Sequence, residues 1–215
     1  MDRTDTAFRI RDTDVLSALR FLCRFFWGPD PRQCREMMQG GFLSVFNSLK
    51  AVLPKQAAGI VDAFGAFLKK QPEPEVLCRK LQITYTRLFV SDRGAVSAPI
   101  YQSCYQFDGA PLMGSPALRM RERLASAGLS LSGEGNEPPD HLAVELEYLY
   151  FLLATGRENK DPESVTLAVD FIASELSVWL PLFTARLSQI PAAGPFHLAA
   201  VLALALVHLI AGEAK

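Results

Sequence analysis

The clearest helix signal in the chain lies at residues 137–154, which read Glu137-Pro-Pro-Asp-His-Leu-Ala-Val-Glu-Leu-Glu-Tyr148 and continue as Leu-Tyr-Phe-Leu-Leu-Ala154. At 100° per residue, the leucines at positions 142, 146, 149 and 153 share one face, which must belong to a core. From Tyr148 to Ala154 the helix is apolar all round, which is typical of a largely buried helix. The pattern predicts a helix over residues 140–155, ended by Gly156.

The same periodicity extends over most of the remaining sequence, where apolar residues recur at three- and four-residue spacing and glycines or prolines separate the segments. The predicted helices cover about 15–26, 31–39, 42–53, 57–68, 75–89, 116–127, 162–180 and 181–189, with a last one from 195. No strand-like alternation persists. The sequence therefore predicts an all-α fold, a single globular bundle of about ten helices over residues 1–215 that is not simply up-and-down. Polar linkers at about 90–115 and 129–139 are expected to act as hinges.

Composition excludes several classes of protein. The 215 residues are 49% hydrophobic and 21% charged, which is too apolar for a disordered chain, and the net charge of −1 argues against a nucleic-acid partner. The four cysteines contain no CxxC pair, so we expect reduced thiols in a cytoplasmic protein instead of a disulfide scaffold or a zinc ribbon. The longest uncharged apolar run, 196–210, has 15 residues. A bilayer span needs about 20 residues, so we expect no stable membrane insertion, and no targeting signal is evident.

Charge is unevenly distributed along the chain. Residues 1–100 carry 15 basic and 10 acidic side chains, and residues 101–215 carry 7 basic and 13 acidic ones, which gives net charges of +5 and −6. The two halves could attract each other. Alternatively, the second half could present an acidic surface to a basic partner.

Three acidic side chains stand at the start of the 140–155 helix. Asp140 is well placed as its N-cap, and His141, at the first helical position, is expected to carry a neutral ring because the helix dipole disfavours imidazolium there. Glu145 and Glu147 lead into a buried helix, where a carboxylate is costly unless it is paired or faces a cleft. They therefore either bind internal partners or line a pocket.

His141 and Glu145 are also spaced four residues apart, at which two side chains can share a metal or serve an enzyme. The chain has only three histidines, and no repeated Glu-x-x-His motif accompanies this pair. We therefore expect no metal and no cofactor, and keep a helical metal-dependent or hydrolytic enzyme using His141 and Glu145 as the alternative function.

A second informative region is the loop that follows residue 90. It contains Pro99, Tyr101, Ser103 and Tyr105, with the two tyrosines four residues apart. Loops of this length are uncommon unless they have a function. The tyrosines could be exposed to bind a peptide or ligand, or the loop could fold back on the core.

Taken together, these segments resemble the TorD/DmsD/NarJ family of redox-enzyme maturation chaperones. The family motifs correspond to Tyr85, Leu88 and Phe89, to Pro99, Tyr101, Ser103 and Tyr105, to Glu137, Pro138, Asp140 and His141, to Glu145, Leu146, Glu147 and Tyr148, and to Leu176, Trp179, Pro181 and Phe183. The resemblance covers about residues 80–185. The chain departs from it at Glu175, where family members often have histidine.

The resemblance implies a cytoplasmic chaperone and no enzymatic activity. Such proteins bind the twin-arginine signal peptide, and often the body, of a molybdenum-cofactor oxidoreductase until its cofactor is inserted, and so delay its export. A protein that binds such a leader needs carboxylates for the two arginines and an apolar groove for the apolar stretch of the leader. The expected peptide-binding residues are Leu88, Phe89, Pro99, Tyr101, Ser103, Tyr105, Pro138, Asp140, His141, Glu145 and Glu147. A structural assembly subunit is a third hypothesis, and a homodimer formed by exchanged helices is a further expectation.

Overall fold

The computed structural model describes residues 12–90, 97–131 and 137–212, and most of these residues are helical. The α-helices are α1 Asp12–Trp27, α2 Pro31–Met38, α3 Gly41–Leu49, α4 Lys55–Lys69, α5 Pro74–Tyr85, α6 Ser115–Ser126, α7 Leu142–Glu158, α8 Pro162–Phe171, α9 Ser177–Ser188 and α10 Gly194–Ile210. Short π-helical turns cover Thr86–Val90 and Ile172–Leu176, and short 3₁₀ turns cover Gln102–Tyr105 and Pro191–Ala193. The described residues contain no strand, which confirms the predicted all-α class and the count of about ten helices.

Helices that are distant in sequence pack together. The most extensive contact joins α1 to α7, and α10 lies against α4 and α9. Aromatic rings complete this core: Phe25 lies 4.8 Å from Phe196 and 5.9 Å from Phe64 between ring centroids. The sequence predicted a bundle that is not simply up-and-down, and these contacts agree with that prediction.

Two helices begin with an aspartate cap followed by a proline. The Asp30 carboxylate accepts a hydrogen bond from the Gln33 N–H at 2.9 Å, with Pro31 as the first residue of α2. Asp161 accepts from the Glu163 N–H at 3.0 Å at the start of α8. In both cases a carboxylate satisfies a backbone donor that has no partner inside the helix.

The helix predicted to stop before Pro181 continues past it. Residues Pro162–Ser188 form one helical stretch that passes through the π-helical turn, and Pro181 lies inside α9. A proline removes one helix hydrogen bond but does not forbid continuation. Leu180 and Phe183 are fully buried on either side of it, so tertiary packing holds the helix together.

Two helical stretches, Pro162–Ser188 and Pro191–Ile210, are long and apolar enough to cross a membrane by length and composition. The core helix of a soluble protein passes the same test, and 67% of the apolar window in Pro191–Ile210 is buried inside the protein. These two features alone do not demonstrate a membrane span.

Candidate functional site

The site is organised by the first turn of α7, whose N-cap lies one residue later than expected. His141 is the N-cap, and its Nδ1 accepts a hydrogen bond from the Ala143 N–H at 3.0 Å. The predicted capping role of Asp140 is wrong. Its Oδ2 accepts instead from the N–H of Ser103 at 2.7 Å and from the Ser103 hydroxyl, because this fully buried carboxylate finds its donors in the loop.

The predicted loop motif and the predicted helix motif meet at this point. Tyr101 and His141 form an antiparallel bridge. On its two sides, the Gln102 N–H donates to the Asp140 carbonyl and the Leu142 N–H donates to the Ile100 carbonyl, both at 3.0 Å. A loop and a helix start that are 40 residues apart in sequence are thereby held as one unit.

The loop folds back on the core, which is one of the two alternatives left open by the sequence. The Tyr105 hydroxyl donates to the Pro99 carbonyl at 2.8 Å, and its ring lies 5.5 Å from that of Trp179. The Tyr101 hydroxyl donates to Glu137, and burial raises the pKa of both phenols. Both tyrosine rings are half-buried, which agrees with the folded-back alternative.

Glu145 has an internal partner. Its side chain is 1% exposed, and its Oε2 accepts from the indole N–H of Trp179 at 2.8 Å. Burial raises the pKa of Glu145 well above its usual range, and the Trp179 hydrogen bond offsets this only in part. The side chain is enclosed and unavailable to a cation from outside the protein.

The alternative enzyme that uses His141 and Glu145 has little support from this geometry. Burial lowers the pKa of His141 to about 3, so the ring is neutral as expected, although burial is the cause. Within the described ranges, no three or more His, Cys, Asp or Glu side chains are grouped in a way that could hold a metal ion.

The outer side of the same turn is built around Trp27, the last residue of α1. Its ring stacks on His141 at 4.9 Å between centroids with 10° between the planes. Its indole N–H donates to Glu147 Oε1 at 2.6 Å, and 40% of Trp27 remains exposed. Sequence reasoning missed this residue, although a tryptophan that ends a helix just before Gly28 was a visible signal.

A surface pocket opens beside Trp27. We call it the carboxylate pocket; its volume is about 230 Å³, and it is lined by Trp27, Leu124, Leu129, Ser130, Leu131, Glu137, Val144, Glu147, Tyr148 and Phe151. Its walls are mainly apolar, its two charged lining groups are the carboxylates of Glu137 and Glu147, and no basic side chain is among the described lining residues. This combination suits a ligand that carries both cationic and apolar groups.

Most of the predicted peptide-binding residues are buried or half-buried next to this pocket and do not line it. Leu88 and Phe89 are 2% and 4% exposed, and Phe89 packs against Phe196 in the core; they do not line this pocket, and their part in peptide binding stays a prediction. Pro99 and Pro138 are half-buried, and the Pro138 carbonyl accepts from the His141 N–H at 3.1 Å. The only predicted residue among the described lining is Glu147. Those that support it from behind are Tyr101, Ser103, Tyr105, Asp140, His141 and Glu145.

Glu175 is the position at which the chain departs from the family motif. Its carboxylate binds the loop through Gln102 and binds α6 through Arg119. Arg119 of α6 donates to both of its oxygens, at 2.9 and 2.8 Å, and the Gln102 side chain donates to Oε2 at 2.8 Å. Burial acts to raise the pKa of Glu175, but the hydrogen bonds from Arg119 and Gln102 outweigh it and lower the pKa. No sequence signal connects Arg119 to Glu175, because the two are 56 residues apart.

Comparison with known proteins places the chain in a family. The family model described as nitrate reductase delta subunit matches residues 47–185, which contain most of the site. The chain belongs to the nitrate reductase delta subunit family. This membership confirms the resemblance that the motifs indicated, and the matched region ends at residue 185, three residues before the end of α9.

Individual relatives agree with the family assignment. The "Chaperone protein TorD" of Vibrio cholerae serotype O1 strain ATCC 39541 is 38% identical over 133 residues, which cover 60% of this chain and 59% of the relative. The protein of the same name from Psychrobacter sp. strain PRwf-1 is 34% identical over 114 residues, covering 52% of this chain and 51% of the relative. The chain thus matches between half and three fifths of the length of these curated relatives.

A solved structure supports the fold. A redox enzyme maturation protein from Archaeoglobus fulgidus matches 87% of this chain and 90% of its own, with a TM-score of 0.51 and 24% sequence identity. At this identity the similarity concerns the fold alone.

Proposed function

We propose that this protein is a cytoplasmic chaperone that binds the twin-arginine leader of a molybdenum-cofactor oxidoreductase precursor at the carboxylate pocket. By holding the precursor, it would assist cofactor insertion and delay export. Family membership and the chaperone names of the relatives support a maturation role without catalysis.

The observation that carries the proposal is the pairing of two uncompensated carboxylates with apolar walls. Glu147 accepts from the neutral indole of Trp27, and Glu137 accepts from the neutral phenol of Tyr101. The one cationic candidate near Glu137 is His141, whose Nε2 lies 4.0 Å away, and burial keeps that ring neutral. Among the described residues, neither carboxylate has a cationic partner of its own.

A guanidinium group would supply that missing charge. Hydrogen bonds between arginine and a carboxylate are stronger than neutral ones and often bidentate. Leu124, Val144 and Phe151 would meanwhile contact the apolar stretch that follows the arginines of a leader. The net charge of −6 in residues 101–215 would also favour the approach of a basic segment.

Calorimetric titration with a synthetic twin-arginine leader tests the proposal. The charge reversal Glu147→Lys should weaken binding at least tenfold, because it places a cation where the arginine would bind. The matched control is Glu158→Lys, which reverses an exposed glutamate at the other end of α7, outside the pocket, and should change affinity by less than about twofold.

A leader with both arginines replaced by lysine separates geometry from charge. It should bind more weakly than the native leader, because an ammonium cannot make the bidentate contact. Equal affinity of the Glu147→Lys variant and the unaltered protein, with unchanged circular dichroism, would remove the carboxylate pocket from the mechanism. A homodimer stays a prediction, which size-exclusion chromatography over a range of concentrations would test.

A further inference from the structure

A second surface pocket adjoins the carboxylate pocket. We call it the arginine pocket; its volume is about 380 Å³. Its lining includes side chains of α6, α7 and α8, namely Arg119, Glu122, Arg123, Tyr148, Leu152 and Leu167. Tyr148 lines both pockets, so one side chain forms a wall that the two pockets share. A ligand that is too long for one pocket can therefore extend into the other.

The arginine pocket contains more positive charge than its internal partner neutralises. Arg119 donates to both oxygens of Glu175, at 2.9 and 2.8 Å. Arg123 reaches the same carboxylate only through a longer hydrogen bond, from Nη2 to Oε1 at 3.3 Å. In the part of the chain that the structure describes, neither arginine forms an ion pair with a second carboxylate. Two guanidinium groups thus share one negative charge, which is the opposite imbalance to that of the carboxylate pocket.

The two guanidinium groups also retain hydrogen-bond donors. An arginine has five N–H donors, and the bonds from Arg119 to Glu175 use only its Nε and Nη2 groups. The Nε of Arg123 is buried and has no hydrogen-bond partner among the described residues. The Phe171 ring, 5.4 Å from the Arg123 Cζ, helps to hold this guanidinium in place. The side chains of Arg119 and Arg123 are 43% and 28% exposed, so a ligand can reach them from the solvent.

The separation of the two pockets fits a single extended peptide. Glu147 lines the carboxylate pocket and Leu152 lines the arginine pocket. The two residues are five positions apart on α7, which corresponds to a rise of about 7.5 Å along the helix axis. An extended peptide advances about 3.3 Å per residue. A few residues of a bound segment therefore cover this distance.

We propose that the arginine pocket binds the carboxylate of an acidic side chain in the same client segment whose arginines bind in the carboxylate pocket. This inference rests on the proposed function. The acidic side chain accepts hydrogen bonds from Arg119 and Arg123, and its neighbours in the client contact the half-exposed Leu167. The protein then selects a client by the spacing between basic and acidic side chains, as well as by the paired arginines.

Calorimetric titration of the full chain with matched leader peptides tests the inference. Each pair of peptides carries a single glutamate or a single glutamine at one position, about two to five residues before or after the arginine pair. At one or more of these positions, we expect the glutamate leader to bind about fivefold more tightly than its glutamine counterpart. Arg123→Gln should abolish this preference. Arg121→Gln should retain it, because it removes the same charge from an exposed residue of α6 outside the pocket.

A second variant gives a result that misfolding cannot produce. Glu122 lines the arginine pocket and is exposed, and its negative charge opposes the binding of another carboxylate. Glu122→Gln removes this charge without removing either arginine or Glu175. The preference for the glutamate leader should therefore increase about twofold.

Equal affinities of the glutamate and glutamine leaders at every position would overturn the inference. An equal loss of the preference in Arg121→Gln and Arg123→Gln would also overturn it, because the effect would then come from the overall charge of α6. If the glutamine leaders bind and Glu147→Lys weakens them, the proposed function stands and only this inference fails. If no leader binds, the proposed function itself fails.

Discussion

The chain has two tryptophans, and each donates its indole N–H to one of two glutamates that are two residues apart on α7. Trp179 donates to Glu145 at 2.8 Å inside the core, and Trp27 donates to Glu147 at 2.6 Å on the surface. The exposed fractions of the two tryptophans are 2% and 40%. The same tryptophan–glutamate hydrogen bond therefore occurs twice, once in the core and once at the surface.

The two pairs show that one helix turn can place one acid inside the core and another at the surface. On the inner side, the enclosed Glu145 joins α7 to α9 through its hydrogen bond with Trp179, and burial raises its pKa. On the outer side, Glu147 keeps a solvent-facing oxygen beside apolar walls. A step of two residues rotates a side chain by about 200° around a helix, which is enough to move it from the core to the surface.

The largest expected effect comes from breaking the inner pair. Trp179→Phe should lower the free energy of unfolding by about 3 kcal/mol, because it leaves a small cavity and removes the donor from a buried acid. Urea denaturation monitored by circular dichroism measures this. The matched control, Trp27→Phe, should cost no more than about 0.5 kcal/mol; equal losses for the two variants would contradict the division into an inner and an outer side.

A smaller, pH-dependent effect should follow from Glu145→Gln, which retains an oxygen acceptor for Trp179. The pKa of Glu145 is higher in the folded state than in the unfolded state. Its stabilising contribution is therefore complete below the unfolded value of about 4.3 and is lost as the pH rises above it. The variant should gain on the unaltered protein by up to about 1.4 kcal/mol per pH unit within that window.

Denaturation of both proteins at several pH values between 4 and 8 measures this difference. His141 is present in both, so its own acid-induced loss of stability cancels in the comparison. A constant difference across the range would mean that Glu145 ionises normally in the folded protein.

The smallest expected effect concerns the outer pair and depends on the proposed function. Trp27→Phe keeps a ring over His141 but removes the donor that orients Glu147. We expect affinity for a twin-arginine leader to fall about threefold, with unchanged thermal stability. An affinity loss as large as that of Glu147→Lys would show that the indole itself contacts the leader.

Helix content was largely predictable, because spacing of apolar residues is a local property. The caps at Asp30 and Asp161 were also readable, since each satisfies donors within three residues. Asp140 has the same local signature, yet its carboxylate serves Ser103. The Asp140 carboxylate could have capped the helix or bound Ser103. Sequence spacing does not indicate which of these two contacts is the more stable.

The all-α class, the approximate helix bounds and the acidic character of the segment that opens α7 follow from local sequence, because periodicity, capping and charge are properties of neighbouring residues. Which of these acids is enclosed and which faces the pocket depends on helix packing. That outcome depends on Trp27 and Trp179, which are 120 and 34 residues away from their glutamates. Contacts over such separations leave no trace in local spacing, since they arise only when packed helices bring distant side chains together.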